Sequence, residues 1–187
     1  MNDSQSKLQR RAMLGAGLAL LPTLVARADE DDPTAARPKV GDHLVFLTGP
    51  KEGKPIHVDD LETGGMQVQA YPADPAGLVR DGSRLNLLIV IRLKNEALSD
   101  ETRPNAADGV VAYSGVCTHQ ACPVNMWSED LQSFVCSCHG SVYDPKDAAE
   151  VTAGPAPRRL AGLPLKSENG LLVVAGEFNG KVGMQQN

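Results

Sequence analysis

Long apolar runs are missing from this chain of 187 residues. The longest, Ala12 to Ala26, has 15 residues and contains Pro22, short of the ~20 that a membrane-spanning helix needs. Aromatic residues are scarce at 4%, and Trp127 is the single tryptophan. An excess of positive charge is also lacking. The net charge is −5, and without residues 1–28 the balance is 14 basic to 22 acidic residues, or −8. An acidic body with scattered Lys and Arg excludes nucleic acid as a partner and permits a basic protein partner. Glycine and proline are plentiful, at 18 and 13 residues, and the hydrophobic fraction of 42% is slightly below the globular norm. That mixture and length suit one loop-rich β domain preceded by a leader.

Residues 1–28 read as the leader. A basic opening ends in Arg10-Arg11, the short apolar run follows, and Ala26-Arg27-Ala28 supplies an A-x-A cleavage pattern. Paired arginines before a modest apolar core resemble a twin-arginine export signal, with Met13 where that signal usually has Phe. Such a route moves folded proteins, so a metal centre could be inserted before export to the periplasm. If the leader is retained, residues 12–26 offer loose attachment to the periplasmic face of the inner membrane. Residues 29–41 are acidic and Pro-containing and read as a flexible linker.

From Asp42 onward, through residues 42–187, the pattern is short strands and turns. His43–Leu47, Met66–Tyr71, Asn86–Leu93 and Gly109–Ser114 read as strands. Asn86–Leu93 (NLLIVIRL) is the strongest and is expected to be buried on both faces. Asn95–Asp108 reads as a short helical turn and loop, and Ser141–Asp144 as a strand. Leu160–Leu165 and Leu171–Ala175 flank Ser167-Glu168-Asn169-Gly170, where Asn-Gly between apolar runs signals a type I′ hairpin. The expected fold is all-β, small and antiparallel, with two Cys/His loops at one end.

Those loops are Cys117-Thr118-His119-Gln120-Ala121-Cys122 and Cys136-Ser137-Cys138-His139-Gly140-Ser141. Together they read C-x-H-x16-C-x2-H with one extra Cys in each. Three chemistries compete for them. A disulfide framework suits an exported protein with an even Cys count but leaves His119 and His139 unused. A zinc site built from two Cys and two His has enough ligands but leaves two Cys over. A Rieske [2Fe–2S] centre takes two Cys on one iron and two His on the other, and is the reading that accounts for all six residues.

The chain resembles the high-potential, disulfide-bearing branch of the Rieske iron–sulfur family. The resemblance spans about residues 109–176 and rests on the two loops, on Tyr143-Asp144 and on Gly154-Pro155-Ala156-Pro157. It implies a Rieske-type sandwich or barrel with its cluster-binding part at about 109–160. It implies one [2Fe–2S] cluster, held by Cys117, His119, Cys136 and His139, and a disulfide between Cys122 and Cys138. Ser141 and Tyr143 are then expected to donate hydroxyl hydrogen bonds to sulfur, and the loop at Gly154 and Pro155 to cover the cluster. Donors aimed at sulfur favour the more negative, reduced state and raise the potential. Where the quinol-oxidising branch usually has Leu, this chain has Gln120, and Ala121 replaces a usual Gly.

The resemblance implies single-electron transfer in one of two settings. One is a quinol–cytochrome c reductase, with cytochrome b and a c-type cytochrome as partners and His139 as the catalytic contact to quinol. The other is a small relay subunit or soluble carrier serving a large molybdenum oxidoreductase of the arsenite-oxidase kind.

Overall fold

The computed structural model of the protein describes residues 32–184. The expected leader at 1–28 lies outside them. Among the described residues, no helix is long and apolar enough to cross a membrane. Those residues are all-β, with ten strands and four single-turn 3-10 helices among them.

The strands are β1 (His43–Phe46), β2 (Val68–Ala73), β3 (Leu88–Arg92), β4 (Val110–Ser114), β5 (Met126–Ser128), β6 (Ser133–Cys136), β7 (Ser141–Asp144), β8 (Glu150–Ala153), β9 (Leu165–Glu168) and β10 (Leu171–Val174). They form an antiparallel six-stranded sheet, β4-β3-β2-β1-β10-β9, and an antiparallel four-stranded sheet, β5-β6-β7-β8. The larger sheet curls into a half-barrel. Beyond β4, the segment leading into β9 closes on it, with Ser114 N–H donating to Ala161 O at 2.8 Å and Leu163 N–H to Ala112 O at 2.9 Å.

β3 and β4 are the wall on which the rest is built. They pair in full register from Leu88↔Ser114 to Arg92↔Val110. Alternate side chains on a strand point to opposite faces, and here each face meets its own core. Leu88, Val90, Val110 and Ala112 join Leu44, Phe46, Ile56 and Leu172 inside the half-barrel. Ile89, Ile91, Val111 and Tyr113 join Phe134, Tyr143, Leu160, Cys117 and Cys136 in a second core under the smaller sheet. The two-sided burial expected of Asn86–Leu93 is therefore realised, and each buried aliphatic contributes about 1.5–3 kcal/mol.

The Asn-Gly hairpin is also as expected. Asn169 and Gly170 have φ of 53° and 84°, the two left-handed residues of a type I′ turn, and Leu171 pairs with Glu168. Two expectations shift. The strand read over 160–165 begins only at Leu165. Before it, Leu160 and Leu163 are buried in an irregular segment, and Pro164 has no N–H to give a ladder.

The second shift concerns residues 32–41, read as part of a flexible linker. They lie against the body. Asn86 Nδ2 donates to Ala36 O at 2.8 Å, and Arg37 Nη1 donates to Leu85 O at 3.0 Å. The Arg37 guanidinium stands 5.2 Å from the Phe178 ring centroid, a cation–π contact. Arg80 anchors the arm's end through a buried bidentate pair with Asp42, at 2.6 and 3.0 Å. Composition alone suggests mobility here because every one of these partners is distant along the chain.

Candidate metal centre

The second core ends in the two Cys/His loops, one leaving β4 and the other joining β6 to β7. Both make the same backbone turn. Ala121 N–H donates to Cys117 O, and Gly140 N–H donates to Cys136 O, each at 3.0 Å. Both turns close on a left-handed residue, Ala121 at φ 55° and Gly140 at φ 73°. A disulfide joins Cys122 to Cys138, 16 residues apart in sequence, with Cα atoms 6.5 Å apart. Cys117 and Cys136 are free and buried. This pairing removes the plain disulfide framework.

Three sulfurs, of Cys122, Cys136 and Cys138, lie within 4.8 Å of one another. Two of them are bonded to each other and cannot act as thiolate ligands. The thiols that can are Cys117 and Cys136. The His119 and His139 rings meet edge to face with centroids 4.7 Å apart. His139 is exposed and His119 half-buried, with its Nδ1 shielded and without a hydrogen-bond partner.

A third segment backs the site. Gly154 has φ 86°, and a Cβ there would stand 2.5 Å from Ser141 Cα and 2.6 Å from Gly140 O. Only glycine lets the loop of Gly154 and Pro155 approach the second Cys/His loop so closely. Pro155 itself is exposed at the rim.

Tyr143 and Ser141 are fully buried on β7. The Tyr143 hydroxyl lies 3.1 Å from Cys117 Sγ and accepts from Thr118 N–H at 3.4 Å. Burial, and then the neighbouring Cys117 sulfur, push the Tyr143 hydroxyl well above the ordinary phenol range. A phenol raised in this way keeps its proton and is able to donate to the sulfur. Burial alone would raise the Cys117 thiol, but hydrogen bonds led by Tyr143 and the His119 N–H outweigh it and hold Cys117 below the ordinary range. Cys136 moves the other way, raised by burial and by sharing its site with Cys117. The Ser141 hydroxyl is buried with no hydrogen-bond partner. A buried orphan hydroxyl costs about 1–3 kcal/mol, and an acceptor placed between the two loops would remove that cost.

The cradle therefore offers two buried thiols, two imidazoles, one unpartnered ring nitrogen, one hydroxyl against sulfur and one buried hydroxyl without a partner. These are the donors that a [2Fe–2S] cluster with two cysteine and two histidine ligands requires. A zinc ion needs the four ligands but has no use for the two hydroxyls.

Three supporting residues had no sequence signal. Thr118 Oγ1 donates to Arg158 O at 2.6 Å. Arg84 Nη1 donates to Ala121 O at 3.2 Å, bracing the first loop. Arg158 donates to the carbonyls of Lys181 and Gly183, which draws the tail beside that loop. All three act on or through main-chain oxygens, which leave no mark in a motif.

A family model for the Rieske [2Fe-2S] domain matches residues 56–164. A protein of Haloferax mediterranei named "Putative respiratory nitrate reductase subunit Rieske" is 32% identical over 97% of this chain and 83% of its own length. The cytochrome bc1 complex Rieske iron-sulfur subunit of Streptomyces coelicolor is 29% identical over 95% of this chain, which spans only 52% of that relative. Among solved structures, the cyanobacterial plasma membrane Rieske protein PetC3 from Synechocystis is 25% identical. That match covers 64% of this chain and 95% of that one, with a TM-score of 0.41.

Proposed function

The chain belongs to the Rieske [2Fe–2S] family, and on that premise we propose that it is the iron–sulfur subunit of a periplasmic or membrane-attached respiratory oxidoreductase of the quinol–cytochrome c reductase type. It transfers single electrons through one Rieske cluster. When bound, the cluster supplies a one-electron couple whose potential is lifted by neutral imidazole ligands.

The residues divide the remaining work. Cys117 and Cys136 would hold one iron and His119 and His139 the other, and the shielded, unpartnered Nδ1 of His119 is available for that role. Tyr143 would donate to the Cys117 sulfur, and Ser141 would offer its unpartnered hydroxyl to sulfur of the bound group. The Cys122–Cys138 disulfide and the loop at Gly154 and Pro155 keep water from the sulfur side. The observation that carries the reading is the contrast in exposure. Cys117, Cys136, Ser141 and Tyr143 are buried, whereas His139 stands in solvent. An outward imidazole nitrogen can hydrogen-bond a quinol and accept its proton, which makes His139 the catalytic contact if quinol is the donor.

A second reading is a small relay subunit or carrier serving a large molybdenum oxidoreductase. Two observations favour it. A relative of which the chain covers 83% carries a nitrate reductase name, and residues 32–41 are docked where a swinging subunit would want a free hinge. In both readings the leader at 1–28 directs export.

The test is affinity isolation from native cells with a tag after Asn187, from fractions made first without and then with detergent. Recovery only in detergent, with cytochrome b and a c-type cytochrome, is the expected result. Recovery from the soluble periplasm with a large oxidoreductase, or with no partner, would overturn the quinol reading in favour of the relay.

A further inference from the structure

Charge near the two loops runs against the charge of the body. The described residues include 14 Lys and Arg. Lys51, Arg80, Arg92, Arg103, Lys146, Arg159 and Lys166 form ion pairs with carboxylates. Three of the others gather beside the first loop. Arg84 is bound to Ala121 O. Arg158 accepts from Thr118 through its carbonyl and donates its guanidinium to the carbonyls of Lys181 and Gly183. These two guanidiniums meet main-chain oxygens, so their charge is not cancelled. Lys181 is exposed.

The ground between them is apolar. Gly183 is packed so that an added Cβ would lie 3.2 Å from Val116 Cγ1 and 3.6 Å from Leu85 Cδ2, so the chain reaches Met184 directly from its contact with Leu85. Leu85 and Met184 are 38% and 47% exposed. Segments 115–126, 136–143, 152–158 and 181–184 contain no Asp or Glu. Acidic groups resume at Asp32 and Asp81, next to Gly82, and at Glu177, which shares a cleft with Arg37. Exposed charges are screened over about 8 Å at physiological ionic strength. A molecule touching this face therefore feels the local cations more than the distant acidic surface.

We propose that Leu85 and Met184, rimmed by Arg84, Arg158 and Lys181, form the docking face for a redox protein whose own electron port is ringed by carboxylates. The inference rests on the reading that the His119/His139 end exchanges electrons with a protein partner. It runs opposite to the basic partner that the net charge permits.

Two small oxidants of opposite charge test it. The reduced holoprotein is mixed in stopped flow with ferricyanide, a trianion, or with tris(phenanthroline)cobalt(III), a trication. Each reagent takes one electron from one cluster, giving ferrocyanide or the cobalt(II) complex. Expected is a ferricyanide rate constant that falls as salt is raised and a cobalt rate constant that rises. Lys181→Gln, at a side chain that makes no hydrogen bond among the described residues, should slow ferricyanide roughly threefold at ~0.05 M ionic strength, and Arg84→Gln/Lys181→Gln should slow it further. Lys54→Gln/Lys94→Gln serves as the control for a plain change of net charge. Calorimetry with redox-inert hexacyanocobaltate(III) gives a binding readout that needs no electron transfer, and its binding should weaken in Lys181→Gln. A ferricyanide rate that rises with salt, or a Lys181→Gln effect no larger than the control's, would overturn the docking face. A purified protein with no [2Fe–2S] spectrum would instead overturn the functional reading, and the inference with it.

Discussion

Loop 117–122 and loop 136–141 carry nearly the same chemistry on the same turn, yet the molecule supports them differently. In the first, Cys117, Thr118 and Ala121 are buried, and Arg84 and Thr118 tie the loop to its surroundings. In the second, Ser137, Cys138, His139 and Gly140 are all exposed. Among the described residues, its one side-chain hydrogen bond to a group outside the loop is a long one, from Ser137 Oγ to Asn125 Oδ1 at 3.4 Å. One loop is built into the body and the other is presented to solvent. A site that must hold a cofactor rigidly and still offer one ligand to a partner needs both arrangements, and the disulfide carries rigidity from the first loop to the second.

Removing that tie should have the largest effect. Cys122→Ser/Cys138→Ser opens a crosslink between residues 16 apart, worth about 3 kcal/mol in the chain-entropy account. At ~2–4 °C per kcal/mol for a chain of this size, Tm of the holoprotein should drop by about 6–12 °C. Backbone exchange should quicken over 137–140 and stay slow over 117–121. Calorimetry with hydrogen exchange checks both. Equal loosening of the two loops would show that the body does not hold the first one independently.

Next in size are the hydroxyls. Tyr143→Phe and Ser141→Ala should each retain the cluster and lower its potential. A hydrogen bond to a charged group is worth roughly 1.5–3 kcal/mol, or about 60–130 mV for one electron, and tens of millivolts is the least expected. Protein-film voltammetry reads this directly. The two variants should then part company in the cluster-free protein. Tyr143→Phe leaves Thr118 N–H without its acceptor and should destabilise by about 1–2 kcal/mol. Ser141→Ala removes a buried hydroxyl that has no partner and should be neutral or stabilising. Unchanged potentials in both variants would sink their assignment as donors to sulfur.

How much of this was legible in the sequence follows from where each signal resides. β3 and β4 were readable because their apolar, β-branched runs are buried on both faces. The β9–β10 turn was readable because Asn169-Gly170 is the chemistry a type I′ turn demands. The loops, Ser141, Tyr143 and Gly154 were readable because cluster chemistry and the family motif fix residue types at set spacings. β5, β6 and β8 were not. They span three or four residues each, and β8 is mostly exposed, so its pairing follows from register with β7 rather than from its own hydrophobicity. The docking of 32–41 was hidden because Arg80, Asn86 and Phe178 lie far along the chain, where no local pattern reaches.

The smallest effect tests the comparison most finely. Both turns need a left-handed residue, but the first uses Ala121 and the second Gly140. Holding an L-residue there costs roughly 1–2 kcal/mol. Ala121 recovers part of this because it is only 9% exposed, and a buried methyl is worth about 0.8 kcal/mol. Gly140 has no such recovery available, since a Cβ there would meet nothing within 4 Å. Gly140→Ala should therefore destabilise by about 1 kcal/mol, while Ala121→Gly should stay within a few tenths of neutral, the relieved strain offsetting the lost methyl contact. Denaturant midpoints of the two variants measure the asymmetry. Mirror-image shifts of ~1 kcal/mol would mean that burial of the first loop contributes nothing to its tolerance of Ala121, and the structural distinction between the loops would then lie in exposure alone.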